Sequence, residues 1–237
     1  ERIRKSSRWS FWKKNVYTSI FLNKNLFTTI SYGFFFKGMW LLVAILGMTE
    51  ASGSNGVSRV TWQFASPLIL FLYTGINFFG YSKNLFFTSA IRETNFRNLA
   101  SLFFATIGII MIVDSMLFWG FIWAADQIQW VHILFYYTSV VVLAVISFWV
   151  AIYNPIFTDN FLFFDFGIIK NRGKDFNFWG VGLLVLVSFI LDEIRYTDYQ
   201  LIISIAGVFA ALMSLYYLKE VDYFKIARSA FSRMHNL

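Results

Sequence analysis

Two ionisable side chains, Lys37 and Asp114, stand well inside long apolar stretches of this 237-residue chain. A charge at the centre of a membrane helix costs about 2.5–3.5 kcal/mol on insertion scales unless it is paired or hydrated. Both side chains are therefore expected to face the interior of a helix bundle. Measured from the same membrane face, Lys37 lies about ten residues deep and Asp114 about fifteen. At about 1.5 Å of rise per residue their depths differ by about 7 Å, within reach of a flexible lysine. Charge neutralisation is the chemistry open to such a pair. It serves as a gate or polar lining of a translocation path, as a structural ion pair, or gives way to Lys37 snorkelling toward the interface.

Other chemistries find little purchase. The chain has no cysteine and only two histidines, His132 and His235. Disulfides, thiolate sites and cysteine nucleophiles are excluded, and a histidine-based metal or acid–base centre is not expected. There is no G-x-x-x-x-G-K-[ST] phosphate loop, no H-E-x-x-H, no G-x-S-x-G and no cluster of intramembrane acids. Accordingly, no catalytic, cofactor-binding or metal-binding residue is assigned. Any energised work must draw on another chain or on an ion gradient. The segment Arg195-Tyr-Thr-Asp198 resembles the Arg-Tyr-x-Asp stretch of microbial retinal proteins, but only one apolar stretch follows it and none with a buried lysine.

Composition shows what must position the charged pair. Hydrophobic residues make up 58% of the chain and charged residues 14%, with a mean hydropathy of +0.59. That balance is far from the quarter-charged composition of soluble domains. The expected class is all-α, a polytopic membrane protein of about six transmembrane helices at 27–48, 64–80, 99–125, 130–152, 178–191 and 201–218. Pro67 would sit in the first turn of the second span, where proline is tolerated. Residues 49–63 read as a small-residue loop with Gly53 and Gly56. The four-residue turn 126–129 makes the third and fourth spans antiparallel neighbours. The fifth stretch has 14 residues before Asp192 and Glu193, so it is either a short span or a re-entrant element.

Flanking segments carry most of the charge. Residues 1–26 hold seven Lys and Arg against one acid, with Trp9, Trp12, Val16, Ile20 and Phe21 near helical spacing. Trp9, Trp12, Lys13 and Lys14 mark a basic amphipathic helix lying on lipid, or a plain basic flank before the first span. Residues 219–237 form a basic tail. Placing 1–26, 81–98, 153–177 and 219–237 on one side leaves only Arg59 and Arg195 opposite and Lys37 in a span. The positive-inside rule puts that side, with both termini, in the cytoplasm. The loop 83–98 is itself amphipathic: Leu85, Phe86, Ile91 and Phe96 would rest on the span ends. Lys83, Thr88, Arg92, Glu93, Asn95 and Arg97 would be offered to a cytoplasmic protein, unless the loop is a solvated connection.

This layout resembles the membrane domain of the ABC type-2 exporter permeases. Tyr153-Asn-Pro155-x-x-x-Asp159 after the fourth span, and Phe176-Asn-Phe-x-Gly180 opening the fifth, are similar to the matching region of large ABC-type permease-like proteins. Tyr223-Phe-Lys-Ile-Ala227 resembles their terminal segment. The resemblance implies that the loop 83–98 is a coupling helix docked on a separate soluble ATPase subunit, which holds the ATP and Mg. It further implies a homodimer or paired permease, in contact with membrane lipids and not with nucleic acid, in a bacterial inner membrane. The rival expectation is a non-transporting scaffold or assembly subunit of a larger membrane complex.

Overall fold

A computed structural model describes residues 23–50, 59–81, 86, 96–126, 128–153, 155, 178–194, 199–217, 225–226 and 228–229. Helix α1 (Lys24–Glu50) starts at an asparagine cap: the Asn23 side-chain oxygen accepts the Leu26 amide at 3.2 Å. The same side chain donates to the Tyr81 carbonyl at 2.9 Å, tying the start of α1 to the end of the second apolar segment.

That second segment is jointed. Helix α2 (Arg59–Ala65) stops at Ser66 and Pro67, and α3 (Leu68–Leu70) runs directly into a π-helical turn (Phe71–Gly75) and α4 (Phe78–Tyr81). Here the structure departs from the sequence expectation. Residues 59–63, read as loop, are helical, so Pro67 falls at an internal break and not in a first turn. Proline has no amide hydrogen for the carbonyl four residues back, that of Gln63. The Ser66 hydroxyl fills the vacancy, donating to the Gln63 carbonyl at 2.6 Å while accepting the Leu68 amide at 3.2 Å. Gly75 lets the π turn lie against the next layer, because a Cβ there would sit 2.9 Å from both Cβ and Oγ of Ser147.

Helices α5 (Phe96–Ala124) and α6 (Trp130–Tyr153) are joined by a tight reversal in which Asp126 takes φ 51°, a left-handed conformation that aspartate tolerates better than most residues. Helix α7 (Phe178–Ile194) and α8 (Gln200–Tyr216) complete the described bundle. Helix α6 is the axle: α8, α7, the π turn, α5 and α4 all pack on it. One core gathers Phe78, Phe79, Phe103 and Phe148, mostly edge to face. Phe86, from the amphipathic loop, is fully buried beside Phe79. A second core holds Leu41, Trp62, Phe118, Phe121 and Tyr136.

The polarity of this bundle is inverted relative to a soluble domain. Phe35, Val43, Ile112, Met116, Trp123, Leu186, Ile202 and Phe209 face outward, whereas Lys37, Asp114 and Asp192 are buried. Three helical stretches, Asn25–Leu46, Leu99–Ala124 and Trp130–Tyr153, are long and apolar enough to cross a membrane. Leu68–Tyr81 and Gln200–Tyr216 are shorter apolar segments. Among the described residues the protein is all-helical, and these features make it a membrane protein.

Candidate functional site

The site is built where the jointed second segment meets α1, α5 and α6. Lys37 lies midway along α1 and Asp114 two-thirds along α5, and both side chains are fully buried. The Lys37 ammonium donates to Asp114 Oδ1 at 2.5 Å and to the Ser66 carbonyl at 3.0 Å. Ser66 stands at the break before Pro67. In an unbroken helix its carbonyl would be given to an amide four residues on. The break therefore makes a backbone acceptor at depth, which is tolerated in a membrane only where protein surrounds it.

The second carboxylate oxygen is also engaged. Tyr136, on α6, donates its hydroxyl to Asp114 Oδ2 at 2.7 Å, and its ring lies 5.7 Å from the Lys37 ammonium. Phe118 stacks on Tyr136 at 4.1 Å and fixes the ring's tilt. Thus one ammonium, one carboxylate, one phenol and one carbonyl from four chain segments satisfy one another with little exposure to lipid. Such polar contacts between membrane helices act as directional links where apolar packing offers no contrast with lipid.

The network continues past the break. Gln63, whose backbone carbonyl takes the Ser66 hydroxyl, accepts the Ser188 hydroxyl on its Oε1 at 2.6 Å. Its amide nitrogen reaches the Ser188 carbonyl at 3.5 Å. An uninterrupted run of polar contacts thereby joins α6, α5, α1, the jointed segment and α7. At the outer rim of the second core, Trp62 stacks on His132 with ring centroids 3.9 Å apart. His132 is one helical turn from Tyr136 on α6.

Lys37 and Asp114 are thus brought together. Tyr136, Ser66, Gln63 and Ser188 are added by the structure. Their signals in the sequence are faint: a tyrosine in an aromatic-rich span reads as packing, and a backbone carbonyl leaves no mark. Lys83, Thr88, Arg92, Glu93 and Asn95, and the interfacial Trp9, Trp12, Lys13 and Lys14, lie outside the described residues. Arg97 belongs to the first turn of α5, and its side chain is outside the description. Among the described residues no group of three or more His, Asp or Glu is placed to hold a metal ion. Comparison with known proteins gave no matching family model, no matching curated protein and no matching solved structure.

Proposed function

We propose that this chain is the membrane-spanning permease subunit of an ATP-driven exporter of the ABC type-2 kind, with its ATPase on a separate chain. The observation that carries the reading is the jointed second segment, broken at Ser66 and Pro67 and pinned by a fully buried ion pair. Helices broken at membrane depth, with freed backbone carbonyls turned toward a polar point, recur in carriers, and this joint supports the reading on that ground. In this reading six crossings place both termini and the loop 83–98 in the cytoplasm of a bacterial inner membrane. The loop transmits nucleotide-driven motion through Lys83, Thr88, Arg92, Glu93, Asn95 and Arg97. Phe86 anchors it to the bundle core. The path runs at the interface of a homodimer or paired permease, and ATP and Mg are bound by the partner ATPase, with no nucleic acid involved.

A second reading, a non-transporting scaffold, draws support from the closure of the charged pair, whose side chains are sealed from solvent and satisfied by fixed partners. The two separate by purification from native membranes. A permease brings down a soluble chain carrying a phosphate loop, and Arg92→Ala with Glu93→Ala weakens that association. Recovery of membrane partners alone, with no ATPase, overturns the exporter reading.

A further inference from the structure

The surroundings of the Lys37 ammonium have the composition of a cation site. Its partners are a carboxylate oxygen at 2.5 Å, a backbone carbonyl at 3.0 Å and the face of an aromatic ring at 5.7 Å. The carboxylate is itself held in place from the other side by the Tyr136 hydroxyl. The carbonyl comes from a helix break, the feature by which membrane carriers turn backbone oxygens toward sodium ions or protons. None of these partners needs the four-carbon stem of a lysine. They need a compact monovalent charge.

We infer that Lys37 occupies a monovalent-cation site, formed by Asp114 Oδ1 and the Ser66 carbonyl beneath the Tyr136 ring, and acts as its tethered cation. The ligand class is a small monovalent cation or primary ammonium. Because the charge is covalently attached, the cation that fills this site cannot be released to either side of the membrane. An alkali-ion gradient is therefore not coupled here, and energised work must be supplied from elsewhere. The inference concerns the site alone and holds whether the chain transports or scaffolds.

The test removes the tether and offers free cations. Full-length Lys37→Ser protein, which loses the ammonium and its stem and keeps a short hydroxyl at the helix, is purified in detergent. Thermal unfolding is followed by tryptophan fluorescence in sodium, potassium or ethylammonium chloride, with N-methylglucammonium chloride as the bulky control at constant ionic strength. Wild type is expected to unfold at the same temperature in all four salts. Lys37→Ser should unfold at lower temperature in the bulky cation and recover saturably with a small one, by about 5–10 °C at about a hundredfold excess over the dissociation constant. Lys37→Ser combined with Asp114→Asn should respond to no cation. The inference is overturned if Lys37→Ser unfolds at one temperature in every salt, or fails to fold in all of them. It is equally overturned if the saturable response persists when Asp114 is Asn, since the cation would then bind elsewhere.

Discussion

Replacing Asp114 by alanine probes the network at its centre. Both members of the pair are fully buried, so the substitution leaves the Lys37 ammonium enclosed with one carbonyl and a ring face. It also leaves the Tyr136 hydroxyl without its acceptor. Removing one partner of a buried pair costs about 3–5 kcal/mol. An orphaned hydroxyl costs about 1–3 kcal/mol, a cost that overlaps the first because one deletion causes both. With about 2–4 °C per kcal/mol for a chain of this size, the melting temperature of Asp114→Ala should fall by about 6–20 °C. Lys37→Met combined with Asp114→Asn removes both charges, keeps an acceptor for Tyr136 and fills the lysine stem with an apolar chain. That variant should lie within about 2 kcal/mol of wild type, since an apolar replacement of a buried pair is often neutral. Thermal or detergent-induced unfolding of purified protein, followed by tryptophan fluorescence, reads both variants. A single substitution costing under about 1 kcal/mol would refute the reasoning, as would a double variant that falls as far as the single.

Three further outcomes are expected. Tyr136→Phe keeps the stack on Phe118 but loses a hydrogen bond to a carboxylate, and should cost about 1.5–3 kcal/mol in the same unfolding assay. Repeated in Lys37→Met/Asp114→Asn, where the acceptor is neutral, it should cost about half as much. Gly75→Ala drives a Cβ to 2.9 Å from Ser147 and should destabilise by about 1–3 kcal/mol. Ser147→Gly in the same chain should restore only part of that stability, because the new Cβ also lies 2.9 Å from Phe71 Cδ1, whereas Gly120→Ala, which meets open space, should be neutral or stabilising by up to about 1 kcal/mol. Trp149→Phe breaks the 3.2 Å bond from the indole to Ser214 that helps seat α8 on α6. It should lower amide-exchange protection across Gln200–Tyr216 by about 0.5–1.5 kcal/mol while leaving α5 unchanged.

The sequence was most legible where physics leaves few options. A charge in an apolar run must be neutralised, so Lys37 and Asp114 stand out from composition alone, and their depth difference already falls within a lysine's reach. Helix positions followed from apolar runs to within a few residues for α5 and α6. The jointed segment was less legible because its first helix begins in a stretch rich in Gly, Ser and Asn. The alternation of apolar Val60, Trp62 and Phe64 has the period of a strand, so nothing in it marks the helix that extends back to Arg59. The π turn has no distinctive pattern beyond Gly75, and Thr74, which bonds back to the Leu70 carbonyl at 2.6 Å, is a common helix residue. Ser66 entered the site through its carbonyl, which every residue possesses. Gln63 and Ser188, 125 positions apart, meet only once α2 and α7 are packed together.

The claim that this bundle is a moving permease and not a static scaffold is tested most directly by a distance. Trp123 and Tyr199 are exposed, 75% and 68% respectively. Trp123 is in the last turn of α5, and Tyr199 immediately precedes α8. Both belong to the end of the bundle where Val131, Leu191 and Gln200 line one small cavity. The chain has no cysteine, so Trp123→Cys/Tyr199→Cys accepts two spin labels per copy. The labelled chain is assembled with an excess of unlabelled chain and a cysteine-free form of the ATPase, and pulsed electron resonance reads the separation of the two labels within one copy. The account predicts that ATP with vanadate shifts the distance distribution and that Arg92→Ala/Glu93→Ala abolishes the shift. Superimposable distributions with and without nucleotide would contradict it.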